Sequence, residues 1–240
     1  MIAIETKKLT KKFKDKIAIN GIDLNIKQGE LFALLGVNGA GKTTIIKMLS
    51  GLILPTSGEI IIENMNMKKE VLKIKEILNV SPQETAIAPN LTVKENLEFM
   101  AGVYQIKEKD KKISELIKQF KLEEVLNKRA KTLSGGWQRR VSIAISLIND
   151  PKILFLDEPT LGLDVIARKE LWKVINSLKG KITIILTTHY MEEAESLSDR
   201  IGIMSNGNLV EVGTSKELIK KTKAKNFEDA FVSIATGGEL

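Results

Sequence analysis

The chain contains no cysteine and only one histidine, His189, so disulfide staples, thiolate zinc sites and multi-histidine metal centres are excluded. Long apolar runs are missing too. A spanning helix needs about 18 or more consecutive apolar residues, and no stretch approaches that, so the chain is not expected to cross a membrane by itself. Its start, MIAIETKKLTKKF, lacks the apolar core of a secretory signal. Internal repeats and low-complexity segments are also absent. Positive charge is in mild excess, a net +7, which could suit nucleic acid or an anionic lipid surface. The lysines are scattered, however, and KEKDKK (107–112) and KKTKAK (220–225) read as solvated faces. No nucleic-acid partner is therefore expected.

What is present is a set of short apolar runs at 31–35, 77–81, 153–156, 182–187 and 201–204. They are continuous, which is how strands covered on both faces of a parallel sheet read. Helical stretches separate them, so the fold class is α/β. Segments 2–8, 22–26 and 57–64 read as further strands, predicting a flanking antiparallel sheet. From Leu91 to about Asn149 apolar residues recur at helical spacing, the mark of a helical lobe inserted between two core strands. Asn206-Gly207 predicts a hairpin, and Thr214 to Glu217 a capping box that opens a last short helix.

Gly36-Val37-Asn38-Gly39-Ala40-Gly41-Lys42-Thr43 fits G-x-x-x-x-G-K-[ST], with a strand before it and a helical stretch after it. The amides of such a loop and of the next helix's first turn lack internal partners, and phosphate oxygens satisfy them. Lys42 would reach the β and γ phosphates, Thr43 would ligate Mg²⁺, and Thr44 would support the α phosphate. ILFLDEP (153–159) adds two carboxylates at the end of a buried strand. Adjacent residues there diverge, so Asp157 can face the Mg²⁺ shell while Glu158 faces the attacking water as general base. Ser134, as N-cap, with Gly135 and Gly136 opens the helix WQRRVSIAISLIND and makes a second anion site.

With these residues the sequence resembles the nucleotide-binding subunit of an ATP-binding cassette (ABC) transporter, over residues 4 to about 218. The resemblance orders the motifs: Walker A at 36–43, the Q-loop glutamine Gln83, the signature at 133–137, Walker B at 153–157 with Glu158, the D-loop at Leu163-Asp164, and the switch histidine His189. It implies a P-loop NTPase (RecA-like) parallel-sheet core with a flanking antiparallel β subdomain and an inserted α-helical subdomain. Within a single domain of 1–240, the core with its β subdomain takes 1–90 and 150–215, the helical subdomain 91–149, and a helical tail 216–240. Gln83 would join Thr43 and Asp157 at Mg²⁺, and His189 would donate to the γ phosphate. Phe13 lies at the family's adenine-stacking position, with a core phenylalanine as the alternative. The cofactors implied are ATP and Mg²⁺.

In this family the signature of one subunit closes on ATP held by the phosphate loop of another. The resemblance therefore implies an ATP-dependent homodimer, or a heterodimer with a similar subunit, in which Asp164 acts across the interface. The membrane permease would be a separate chain, and this one would sit peripherally on the cytoplasmic face. The alternatives are a DNA-, RNA- or ribosome-acting ABC ATPase, for whose insertions the span from Gln83 to Ser134 leaves no room, and a P-loop kinase, which would need no second anion site. Two departures stand out: Trp137 replaces the signature's usual glutamine, and Leu161 stands where serine commonly precedes GLD. NFEDAFVSIATG (226–237) resembles the tail of the drug- and lipid-export branch.

Overall fold

A computed structural model describes residues 1–237; the last three residues of the 216–240 tail lie outside the described residues. The chain opens with an antiparallel ribbon of β1 (Ile2–Phe13) and β2 (Lys16–Lys27). These strands are longer than their sequence signal. Register shifts between Thr6 and Leu9, Leu9 and Lys11, and Lys11 and Lys12 break the period-two alternation that would reveal them. Then come β3 (Leu31–Gly36), α1 (Lys42–Leu49), β4 (Ser57–Ile62), β5 (Met65–Asn66), α2 (Met67–Glu76) and β6 (Leu78–Ser81). Helix α2 has no counterpart in the sequence reading: it is rich in lysine, and only Met67 and Ile74 are buried.

Three helices follow, α3 (Val93–Val103), α4 (Lys109–Phe120) and α5 (Gly135–Ser146), before the chain returns to the sheet at β7 (Ile153–Asp157). The remainder is α6 (Val165–Leu178), β8 (Thr183–Thr188), α7 (Met191–Leu197), β9 (Arg200–Ser205), β10 (Asn208–Gly213), α8 (Ser215–Thr222) and α9 (Phe227–Ala235). A six-stranded sheet in the order β10-β9-β3-β8-β7-β6 forms the centre, parallel except for the β9–β10 hairpin. A four-stranded antiparallel sheet, β2-β1-β4-β5, lies beside it.

The continuous apolar strands are explained by what lies on each side. In β7, Ile153 and Phe155 pack toward α1 and the antiparallel sheet, whereas Leu154 and Leu156 pack toward α3, α4, α5 and α6. Successive side chains point to opposite faces, so both faces must be apolar. Phe227 and Phe231 of α9 join Ala33, Leu35, Ile201 and Ile203 in a third cluster. Thr214 and Glu217 form the expected capping box on α8.

Asn206 and Gly207 both have positive φ, 47° and 78°, as a two-residue turn of this hand requires. The tip of that hairpin buttresses the glycine loop: the Gly207 amide donates to the Ala40 carbonyl at 3.1 Å, and the Asn20 amide to the Gly207 carbonyl at 2.9 Å. The parallel strands all end on one side, where α/β sheets place their chemistry. β3 leads into the glycine loop, β6 toward Gln83, β7 into Asp157 and Glu158, and β8 into His189.

Candidate active site

Helix α1 starts from a loop whose backbone only glycine allows at two points. Gly41, at φ 105°, has Ile19 Cδ1 2.6 Å and the Ala18 carbonyl 2.9 Å from where a Cβ would stand. At Gly36 a Cβ would lie 2.5 Å from the Met204 carbonyl oxygen. The helix has no side-chain cap and no acidic residue in its first turn, so its positive end is offered outward. Lys42, buried, folds back along the loop. Its Nζ donates to the Gly36 carbonyl at 2.6 Å and the Val37 carbonyl at 3.3 Å, and stands 3.3 Å from Glu158 Oε1.

The two carboxylates after β7 diverge. Asp157, 4% exposed, turns its Oδ1 toward Thr43 Oγ1 at 3.2 Å and accepts from Thr187 Oγ1 at 2.5 Å. Glu158, 7% exposed, turns the other way and lies between Lys42 and His189, whose Nδ1 is 2.8 Å from its Oε2. Its backbone is strained, at φ 48° in a non-glycine residue, and is fixed by an amide that donates to the Thr187 carbonyl at 3.1 Å and to Thr187 Oγ1 at 3.0 Å. The His189 ring lies 4.1 Å from that of Tyr190, over which Arg168 stacks.

A cavity of about 720 Å³ opens over this group, lined by Phe13, every residue from Asn38 to Thr44, Gln83, Glu158 and His189. Phe13 is 48% exposed, which excludes the core alternative; Lys11 stands over its ring, with Nζ at 5.0 Å. The oxygen set of Thr43, Asp157 and Gln83 is hard and carries one carboxylate, the donor type that suits Mg²⁺ bound together with phosphate.

The structure does not bring Ser134, Gly135, Gly136 or Asp164 into this cavity. The signature residues lie at the N-terminus of α5, exposed or half-buried, beside the start of α6: a Cβ on Gly136 would be 3.0 Å from Ala167 Cβ, and one on Gly135 3.7 Å from Leu163 Cδ2. Ser134 occupies the N-cap position with extended backbone, but its hydroxyl makes no capping bond, a correction to its reading as a side-chain cap. Asp164, by contrast, caps α6, accepting from the Ile166 and Ala167 amides at 2.9 Å. Trp137 packs its ring against the helical core beneath the Arg140 guanidinium at 4.8 Å.

A family model described as ABC transporter matches residues 19–161. The chain belongs to the ABC transporter family. It is 42% identical to the probable multidrug ABC transporter ATP-binding protein YbhF of Escherichia coli, over 94% of this chain but only 39% of that protein's length. It is 38% identical to the linearmycin resistance ATP-binding protein LnrL of Bacillus subtilis, over 91% of this chain and 71% of LnrL. The dimeric post-hydrolysis structure of the ATP-binding cassette MJ0796, bound to ADP and Pi, matches with a TM-score of 0.78 and 29% identity, over 88% of this chain and 98% of that one. The ABC chain described here thus has the P-loop NTPase fold of an ATP-binding, ATP-hydrolysing domain.

Several residues of this ABC domain escaped the sequence reading. Thr187 fixes both Asp157 and Glu158, yet it reads only as part of an apolar strand. Glu193 of α7 is fully buried; Trp172 Nε1 donates to it at 3.0 Å, and burial pushes its carboxyl above the usual range. Arg139 is 4% exposed. Its inward-facing stripe, Arg139, Ser142 and Ser146 among apolar residues, is the signal that could have found it.

Proposed function

We propose that this chain powers transport, in the export direction, through a separate membrane protein, working as an ATP-dependent dimer on the cytoplasmic face of a membrane. The observation that carries the reading is the placement of the Glu158 carboxylate between Lys42 and His189, with Asp157 turned away toward Thr43. Lys42 would exchange the Gly36 and Val37 carbonyls for β and γ phosphate oxygens, which releases Glu158 Oε1. Glu158 would then take the proton of a water whose oxygen attacks the γ phosphorus, as the bond to the β–γ bridging oxygen breaks and ADP leaves. His189 holds Glu158 through Nδ1 and leaves Nε2 to face the γ phosphate. Thr43, Asp157 and Gln83 would hold Mg²⁺, which when bound neutralises charge between the β and γ phosphates. Phe13 would stack on the adenine.

The second anion site supports the dimer. Ser134 and Gly135 are exposed, Gly136 is half-buried, and no side chain caps the helix they open, so they are read as closing on ATP held at Gly36 to Lys42 of the other chain, with Asp164 beside them. Segment 91–149 would act as the helical subdomain that carries them, between core segments 1–90 and 150–215 and ahead of the tail 216–240. Leu72 on α2, and Phe99 and Val103 on α3, are exposed apolar side chains that a membrane partner would cover. The names of YbhF and LnrL, together with the 226–237 tail, favour a drug-like or lipid-like cargo.

The test is Glu158→Gln, which keeps the side chain's shape but cannot take a proton. Gel filtration should show a dimer in MgATP that dissolves on nucleotide removal and is absent in ADP. A variant that stays monomeric in saturating MgATP, or hydrolyses it at the parent's rate, contradicts the reading.

A further inference from the structure

Helix α5 presents the signature at its first residues and buries an arginine one turn later. Arg139 is 4% exposed, and its guanidinium donates from Nη1 to the Pro82 carbonyl at 2.5 Å and from Nη2 to the Gln83 carbonyl. Among the described residues no carboxylate lies within ion-pair distance of it; the Asp157 and Glu193 charges act on it from farther off, opposing the burial that lowers its proton affinity. One turn further along, Ser142 Oγ lies 3.3 Å from Ser81 Oγ at the end of β6. One face of α5 is therefore latched at two levels to the segment that carries Gln83.

A desolvated guanidinium is costly unless its donors are satisfied. Here the backbone on each side of the Pro82–Gln83 peptide does that, and it needs the planar fork of arginine, since a lysine ammonium cannot span two carbonyls in the same way. If Gln83 moved while α5 stayed still, the buried charge would lose its partners. The rise from Gly135 to Arg139 is only about 6 Å, so a displacement of the Gln83 backbone reaches the signature with little room to dissipate.

We infer that Arg139 is a positioning residue that couples the chain's own nucleotide, sensed at Gln83, to the orientation of the Ser134–Gly136 end offered to the partner's nucleotide. The inference rests on the two-chain reading of the site. Arg139 touches neither nucleotide; it makes Gln83 and the signature helix move as one body.

The test uses the full chain in a Glu158→Gln background, with Arg139→Met or Arg139→Lys added. Binding of MgATP at concentrations too low for dimerisation should change by less than about threefold, because the phosphate loop is untouched. The MgATP concentration needed for dimerisation should rise by about tenfold in Arg139→Met, with Arg139→Lys in between because it keeps one carbonyl bond. Hydrogen exchange should show ATP protecting amides 38–44 in every variant, and amides 134–137 in the parent but much less in Arg139→Lys, which also serves should the methionine variant not fold. Equal dimerisation and equal protection of 134–137 in parent and variants overturns the inference and leaves the two-chain site standing. Failure of Glu158→Gln alone to dimerise overturns both.

Discussion

Two helix ends in this molecule start with no side-chain cap over their amides, and they differ in what surrounds them. Helices α1 and α5 both start without a side-chain capping bond and without an acidic residue in the first turn. The other described α-helices have one or the other: Asn66, Thr92, Asp164, Thr214 and Asn226 cap α2, α3, α6, α8 and α9, while Asp110 and Glu192 supply acid to α4 and α7. At α1 the positive end is enclosed, with a buried lysine, two divergent carboxylates and a histidine around it. At α5 it is exposed or half-buried, with the start of α6 beside Gly135 and Gly136. On the reading proposed above, the first does the chemistry on a phosphate and the second completes a site on another chain.

Breaking the enclosed end should have the largest effect. Among the described residues Lys42 is the ammonium paired with Glu158, at 3.3 Å with both side chains buried, and Lys42→Ala removes it. Loss of this transition-state charge should lower kcat by on the order of 10³. Stranding the carboxylate should cost about 3 kcal/mol of stability, part of which returns in the double variant Lys42→Ala with Glu158→Gln. Steady-state hydrolysis and thermal denaturation check the two halves separately. Near-normal turnover would remove Lys42 from the chemistry.

Breaking the open end should leave that chemistry's binding step alone. Ser134→Arg puts a long cation where the exposed hydroxyl stands. MgATP should bind the single chain as before, while the ATP-induced dimer, followed by light scattering, should need at least about 100-fold more nucleotide, the scale of a blocked close contact. A variant that dimerises normally would place the interface on another surface.

The same contrast explains what could be read from sequence. The α1 end is written in contiguous residues, Gly36 to Thr44, because a phosphate loop needs glycine, lysine and hydroxyl at fixed local offsets. The hairpin at Asn206 and the Thr214 capping box are local in the same sense. Arg139 and Arg140 look alike in the sequence, yet one is buried on the Gln83 backbone and the other lies over Trp137. What separates them is the angle at which α5 meets β6, a contact across more than fifty positions, which no local pattern encodes. Thr187 and Glu193 were invisible for the same reason.

Phe13 sharpens the enclosed end. Its half-exposed ring lines the cavity together with the phosphate loop. Phe13→Ala should weaken ATP by about tenfold, within the ~1–3 kcal/mol typical of base–aromatic stacking, and leave inorganic triphosphate unchanged. Competition titration with the two ligands distinguishes them. Equal weakening of both would mean that the ring shapes the loop and does not hold the base.

The smallest effect is expected at Trp137, and it bears on whether the open end depends on its side chains at all. If the α5 end recognises phosphate through backbone amides and Ser134, the residue at 137 contributes by packing, and the structure shows it doing so: the indole lies partly buried against the helical core, with Arg140 over its face and Arg140 in turn 3.6 Å from Glu170. Trp137→Gln should then keep hydrolysis within about threefold of the parent, or raise it, while costing about 1 kcal/mol of stability through the lost cation–π contact and apolar burial. Trp137→Gln combined with Arg140→Met should cost little more than Trp137→Gln alone, because the two share one contact. Loss of hydrolysis with stability unchanged would reverse the assignment: the indole would then be reaching across to the partner's nucleotide, and the open end would be a side-chain site after all.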